Sequence, residues 1–323
     1  MSVTTSNAGR WRQWLKIEAV LVGVLTVLVF VFSKTGANFA TQGNALEIVR
    51  LSVETGLIAV AMTPVILTGG IDLSVGSLLG LCGIVFGKLW RDAGLPPLAA
   101  AACTVCVGGV CGALNGVLIT RWKLPPLIVT LGSFSLFRGL AEAVTRGVDN
   151  FTGFPKGFLF LGQGYWFGWM PAQAPVFVAV CLLVWALVHR TTWGRSLRVI
   201  GFAPEGATYA GLPVDRQLVS LYTLVGAITA MASLVYVAHV GQAKADAGTG
   251  YELLAITAVV LGGTSIFGGR GGVGGTILGM AVLAVMRNGM ILSDLPAELV
   301  GIVTGLLLLT VLSGEVLMKR FQR

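Results

Sequence analysis

Apolar residues fill this chain in long blocks, and short polar or glycine-rich stretches punctuate them. Ten blocks read as membrane spans, at roughly 17–32, 46–67, 72–90, 97–120, 127–146, 173–190, 217–239, 252–267, 273–291 and 297–313. A helix needs about 20 predominantly apolar residues to cross the hydrocarbon core. The pattern predicts an all-α polytopic membrane protein of about ten transmembrane helices. On this reading 1–16 is a cytoplasmic amino-terminal segment, 17–313 the transmembrane domain and 314–323 a cytoplasmic tail. The first block follows Arg10, Arg12 and Lys16 without a small-x-small cleavage site, so it reads as a retained helix.

Composition supports the same class. The chain is 55% hydrophobic and 11% charged with a mean hydropathy of +0.86, against about 25% charged residues in an average soluble domain. Its net charge of +8 is spread over short inter-span loops and forms no basic-aromatic stripe, which argues against nucleic acid. Alternating the ten spans puts thirteen Lys and Arg on the face with both termini and seven on the other. The positive-inside rule then makes that first face cytoplasmic. Cys82, Cys103, Cys106, Cys111 and Cys181 all fall in apolar blocks and read as reduced core residues.

Four features carry candidate chemistry. Gly69, Gly70, Asp72 and Ser74 interrupt the apolar run from about Gly56 to Leu89. A carboxylate at such a place either lies beside a solute path or caps the helix that follows. Arg138 and Glu142 are four apart on one predicted helix and can pair, or Arg138 can serve the path. In the cytoplasmic loop 190–216, Pro204 and Glu205 suit the start of a short helix that Gly211 and Pro213 close. A helix so short is marginal in water, so it needs a docking partner. The run Gly268 to Gly275 lacks the Lys and hydroxyl of a nucleotide loop and reads as a turn between closely packed helices. Shifted by 199 positions it aligns weakly with the first stretch, pairing Gly69 with Gly268 and Gly70 with Gly269. The outer loop 147–172 is rich in aromatics, fit for an interfacial belt or a partner.

Several stretches in one order carry a resemblance: Leu67 to Ser77, Gly112 to Gly116, Leu124 to Gly132 with Phe137 to Gly139, and Ala247 to Ser265. Over about 45–313 the chain resembles the inner-membrane permeases of ribose-type ABC sugar importers, with some likeness to the rhamnose and autoinducer-2 branches in 241–268. The resemblance implies the ABC importer permease fold, a dimer with a second permease copy or paralogue, cytoplasmic ATP-binding subunits and a periplasmic or extracellular solute-binding protein. It implies a bacterial inner-membrane location, a monosaccharide or similar polyhydroxylated solute, and no cofactor or metal. It also assigns ATPase coupling to Pro204, Glu205, Gly206 and Ala207, where Phe202 and Gly206 depart from the family's usual Gly-Asn-Pro-Glu-Ala-Ala. A rival class is an ion-coupled secondary transporter, for which Asp72 and Glu54 are the tempting acids. With two His, at span ends, no nucleophile–base set points to an enzyme.

Overall fold

The computed structural model describes residues 7–321, so the expected terminal segments are covered only from residue 7 and up to residue 321. Helices dominate. In chain order they are α1 (Asn7–Thr35), α2 (Gln42–Leu67), α3 (Val75–Arg91), α4 (Pro97–Arg121), α5 (Pro126–Thr145), α6 (Lys156–Gln163), α7 (Ala174–Arg190), α8 (Thr192–Phe202), α9 (Pro204–Tyr209), α10 (Val214–Val240), α11 (Tyr251–Leu261), α12 (Val273–Leu292) and α13 (Ala297–Phe321). Four strands of two residues each form two small antiparallel pairs: β1 (Phe151–Thr152) with β4 (Gln242–Ala243), and β2 (Tyr165–Trp166) with β3 (Met170–Pro171).

The chain is a polytopic α-helical membrane protein. Among the described residues, α1 from Glu18, α4, α5, α10 and α12 are long and apolar enough to cross a bilayer. Counting α7 with α8, bent at 69° to each other, as one span makes six. Large apolar side chains face outward from these helices, among them Phe30, Val110, Ile128 and Leu182. Such a surface suits hydrocarbon rather than water.

Two expected spans are shorter than the sequence suggested. The third begins at Val75 rather than residue 72, because the backbone from Thr68 to Ser74 is not helical. The eighth ends at Leu261 rather than 267, where Gly263 turns left-handed at φ +83° and closes α11. At ~1.5 Å per residue α11 is about 16 Å long, roughly half the hydrocarbon thickness. The nonhelical backbone leading into it, 244–250, is packed against Gly76 and Gly80 of α3 instead of lipid.

The centre of the bundle is α2, buried from Ser52 to Leu67 apart from Thr55, with α10 beside it. α10 packs most extensively on α4. Their contact is backbone to backbone: a Cβ at Gly108 would stand 2.6 Å from the Ala230 methyl, and one at Gly112 would overlap the Tyr222 carbonyl. Without a strong hydrophobic drive between helices in lipid, this close approach is what holds them.

The loop 147–172 is only partly the aromatic belt that its composition suggests. Phe154 and Phe158 pack on Phe86 and Phe151 is buried, while Trp166, Phe167 and Trp169 stay exposed. The β1–β4 pairing ties the loop to the chain after α10 and pulls Phe151 onto Gly87 of α3. The cysteines also divide: Cys82 and Cys181 are buried, but Cys103 and Cys106 are exposed on α4, not core residues as expected.

Gly112→Val should separate α4 from α10 and lower stability by about 1–3 kcal/mol, the usual cost of overpacking. The thermal unfolding midpoint in detergent should fall by several degrees; an unchanged midpoint would contradict this contact.

Candidate functional site

The break after α2 is a designed helix end. Gly69 lies in the left-handed region at φ +78°. Its N–H donates to the Ile66 carbonyl at 2.9 Å, and the Gly70 N–H to the Val65 carbonyl at 3.1 Å. This is the Schellman pattern, which satisfies orphan carbonyls at a helix terminus and favours glycine in the left-handed position. The Leu67 carbonyl remains and accepts from the Gly269 N–H at 2.8 Å. The chain then descends through Gly70, Ile71 and Asp72 to α3.

Asp72 is buried and engaged locally. Its Oδ1 accepts from the Ser74 N–H at 2.9 Å and from the Ser74 hydroxyl at 2.6 Å. Ser74 Oγ in turn accepts from Asn115 Nδ2 of α4 at 3.0 Å, and Asn115 Oδ1 accepts from the Ser133 hydroxyl of α5. The Thr130 hydroxyl donates to the Ile71 carbonyl at 3.1 Å. A chain of hydrogen bonds therefore fastens the break to α4 and α5. Asp72 caps the turn just before α3, whose own N-cap residue is Ser74. Nearby, the Tyr222 hydroxyl of α10 is buried without a hydrogen-bond partner among the described residues. Ser133 and Tyr222 are absent from the sequence reading, and Asn115 entered it only within the Gly112–Gly116 stretch of the resemblance; hydroxyl and amide groups on apolar helices were the available signal.

Arg138 does not pair with Glu142. No ion pair within 4.0 Å joins them among the described residues, and Arg138 reaches the loop after α10 instead. Its Nη1 donates to the carbonyls of Ala245 and Ala247, and its Nη2 to the Thr249 hydroxyl at 3.2 Å. A guanidinium has five donors in a planar fork, so it can satisfy a nonhelical loop where one carboxylate four residues away cannot.

Pro204 opens α9 at its first position, and the helix closes near Gly211, at φ +78°. Glu205 and Gly206 are exposed, whereas Ala207 is fully buried and anchors the helix. Phe202, just before it, and Tyr209, its last residue, are 85% and 92% exposed. Before it, α8 is held by the Arg198 guanidinium, whose Nη2 lies 3.1 Å from His189 Nδ1. Arginine only donates, so that nitrogen accepts and the imidazole is neutral. Burial draws the Arg198 guanidinium below its ordinary range.

The last turn of α8 meets the break directly. A Cβ at Gly201 would overlap the Leu67 carbonyl, and one at Gly268 would stand 2.7 Å from the Gly201 carbonyl and 2.9 Å from the Gly69 nitrogen. The two weakly similar glycine stretches thus touch, with Gly201 between them. Of the residues singled out in the sequence, Gly69, Gly70, Asp72 and Ser74 form one unit. Pro204 to Ala207 lie a few residues beyond the glycine contact, and Arg138 is part of a separate one.

Elsewhere in the bundle, Glu54 of α2 and His239 of α10 meet at 2.7 Å between Oε1 and Nδ1. Their sequence separation of 185 residues hid the pair.

The fold and these sites define a membrane permease. Over residues 44–312 the chain matches the family described as branched-chain amino acid transport system / permease component, and it belongs to that family. It is 36% identical over 314 residues to the autoinducer 2 import system permease protein LsrD of Photorhabdus laumondii subsp. laumondii, covering 96% of this chain and 93% of the relative. The protein of the same name from Photorhabdus luminescens is 34% identical over 96% and 93%. That from Escherichia coli is 33% identical over 92% and 91%. No solved structure matches the chain.

Asp72→Leu should remove the acceptor of two Ser74 donors and cost about 1–3 kcal/mol, whereas Asp72→Asn keeps an oxygen there and should cost less. Thermal unfolding of the two purified variants decides this; equal midpoints would show that Asp72 does not hold the turn.

Proposed function

We propose that this chain is the membrane-spanning subunit of an ATP-driven importer for a monosaccharide or similar polyhydroxylated solute in the bacterial inner membrane. The observation that carries the reading is the exposed α9 with its backbone-tight link to the bundle interior. A helix of six residues presenting Glu205 between two exposed aromatics is unstable as a free surface feature and fits a docking handle. The full family match supports a permease, and the relatives named for autoinducer 2 import support the choice of solute class. The family as a whole is described for branched-chain amino acids, so the solute assignment rests on the relatives.

In this reading all ten expected spans cross the membrane: α2, α3, α7 and α13 join the five helices of sufficient hydropathy, and α11 crosses together with the nonhelical 244–250 that leads into it. Both termini, the 190–216 loop and the 262–272 loop face the cytoplasm. Two permeases, identical or paralogous, form the conduit, and a solute-binding protein delivers cargo from outside. Cytoplasmic ATP-binding subunits grip Pro204, Glu205, Gly206 and Ala207. When they close on ATP, α9 moves. The Gly201–Leu67–Gly268 contact passes the displacement to the break, and the Asp72–Ser74–Asn115–Ser133 chain carries it to α4 and α5. Gly69, Gly70, Asp72, Ser74 and Arg138 thereby belong to the moving framework of the path.

A second reading, an ion-coupled transporter, is favoured by one observation: Glu54 and His239 form a titratable pair inside the bundle. Uptake that collapses with the proton gradient while ATP is maintained would select it.

Glu205→Arg places a cation where the handle now carries an acid. It should leave the thermal midpoint near wild type, preserve ATP hydrolysis by the assembled complex and abolish solute uptake. Unchanged uptake would remove α9 from the coupling role.

A further inference from the structure

A cavity of about 740 Å³ lies between α2, α10, α11, α12 and α13, well apart from the Gly69–Ser74 break. That volume is within the usual range for a small-molecule site, roughly 300–1,000 Å³. Glu54, Tyr236, His239, Tyr251, Arg287 and Asn288 line it on a mostly apolar wall that also carries several Ser and Thr hydroxyls. None of the path residues suggested by the sequence does.

The polar groups are placed to bind. Glu54 supplies a carboxylate, oriented by His239 at 2.7 Å. Asn288 is oriented by a reciprocal amide pair with Asn44, at 3.0 and 2.9 Å. By contrast, the half-buried Tyr236 and Tyr251 and the exposed Arg287 also line the cavity, and their side chains make no hydrogen bond to protein among the described residues. The two tyrosine rings meet edge to face at 83°, with centroids 6.2 Å apart. The cavity thus offers fixed acceptors, unspent donors and aromatic walls together.

We infer that this cavity is a solute-binding station for an uncharged polyhydroxylated molecule of monosaccharide size. A sugar hydroxyl both donates and accepts, so it can bridge Glu54 to Arg287 or a tyrosine hydroxyl. The C–H faces of a sugar ring match the tyrosine and aliphatic walls. The Glu54 carboxylate is already engaged by His239, so a cationic solute would have to compete with that contact. The inference rests on the importer reading, and it places the station in a single protomer rather than at the centre of a dimer.

The native cysteines do not line the cavity, and with the exposed Cys103 and Cys106 replaced by alanine a thiol placed there reports its occupancy. Ala284→Cys, on the cavity wall, is compared with Val178→Cys, on the exposed surface of α7. Each is purified within the assembled transporter in lipid nanodiscs and in detergent. Alkylation by a small thiol reagent is followed with and without autoinducer 2, D-ribose or L-rhamnose. At least one solute should slow the Ala284→Cys reaction about tenfold and leave Val178→Cys unchanged. Adding Glu54→Gln or Asn288→Ala to Ala284→Cys should raise the half-protecting concentration about tenfold, as loss of one charge-assisted or well-oriented hydrogen bond would. Protection by none of the solutes overturns the inference. So does protection that neither substitution weakens, or slowing by bilayer lipid that no solute adds to. Failure of the importer reading shows separately, as absence of ATP-dependent uptake by the Val178→Cys assembly.

Discussion

The backbone at the end of α2 has to hand over its last carbonyls inside an apolar bundle, and the way it does so organises the protein. In hydrocarbon an unsatisfied peptide group costs several kcal/mol. Gly69 and Gly70 turn back to satisfy Val65 and Ile66, and Leu67 is left to find a partner from another segment. It finds Gly269, which brings the 262–272 loop against α2. Gly201 fits into the same contact because it has no side chain. One hydrogen-bonding requirement therefore gathers three segments distant in sequence.

The consequence is mechanical. Contacts through long side chains can absorb a shift by changing rotamer; contacts between backbones cannot. The segment carrying α9 ends on such a contact. Beyond it, Asp72 fixes the turn into α3 while Ser74 and Asn115 reach α4 and α5 through buried hydrogen bonds. Arg138 plays a similar part for the loop after α10, tying its carbonyls to α5. These polar groups hold nonhelical backbone in place, whereas many Ser and Thr hydroxyls elsewhere bond back to carbonyls of their own helix. The lining of the 740 Å³ cavity differs, because several donors there are left without protein partners.

Helical class, the position of the break and the α9 segment were legible in the sequence, since each rests on local signals. Apolar blocks reveal helices, Gly-Gly before Asp reveals a terminus and a start, and Pro-Glu followed by Gly and Pro bounds a short helix. What lay hidden depends on tertiary distance. Arg138 has Glu142 within reach along its helix, but the loop carbonyls offered more acceptors. Glu54 and His239 are remote in sequence and meet only because α2 and α10 pack together. The end of α11 at Leu261 was missed because the apolar run continues past Gly262 and Gly263, whose left-handed turn breaks the helix without any change in hydropathy. The aromatic loop was legible only in part for a related reason: composition does not distinguish an exposed ring such as Phe167 from one stacked on Phe86.

The most direct measurement is solute accumulation by proteoliposomes, with this chain reconstituted alone and together with its ATP-binding subunits and solute-binding protein. Uphill uptake is expected only from the complete assembly, only with hydrolysable ATP, and unaffected by collapse of the proton gradient. Concentrative uptake by the chain alone would contradict the role assigned to α9 and to the glycine contact behind it.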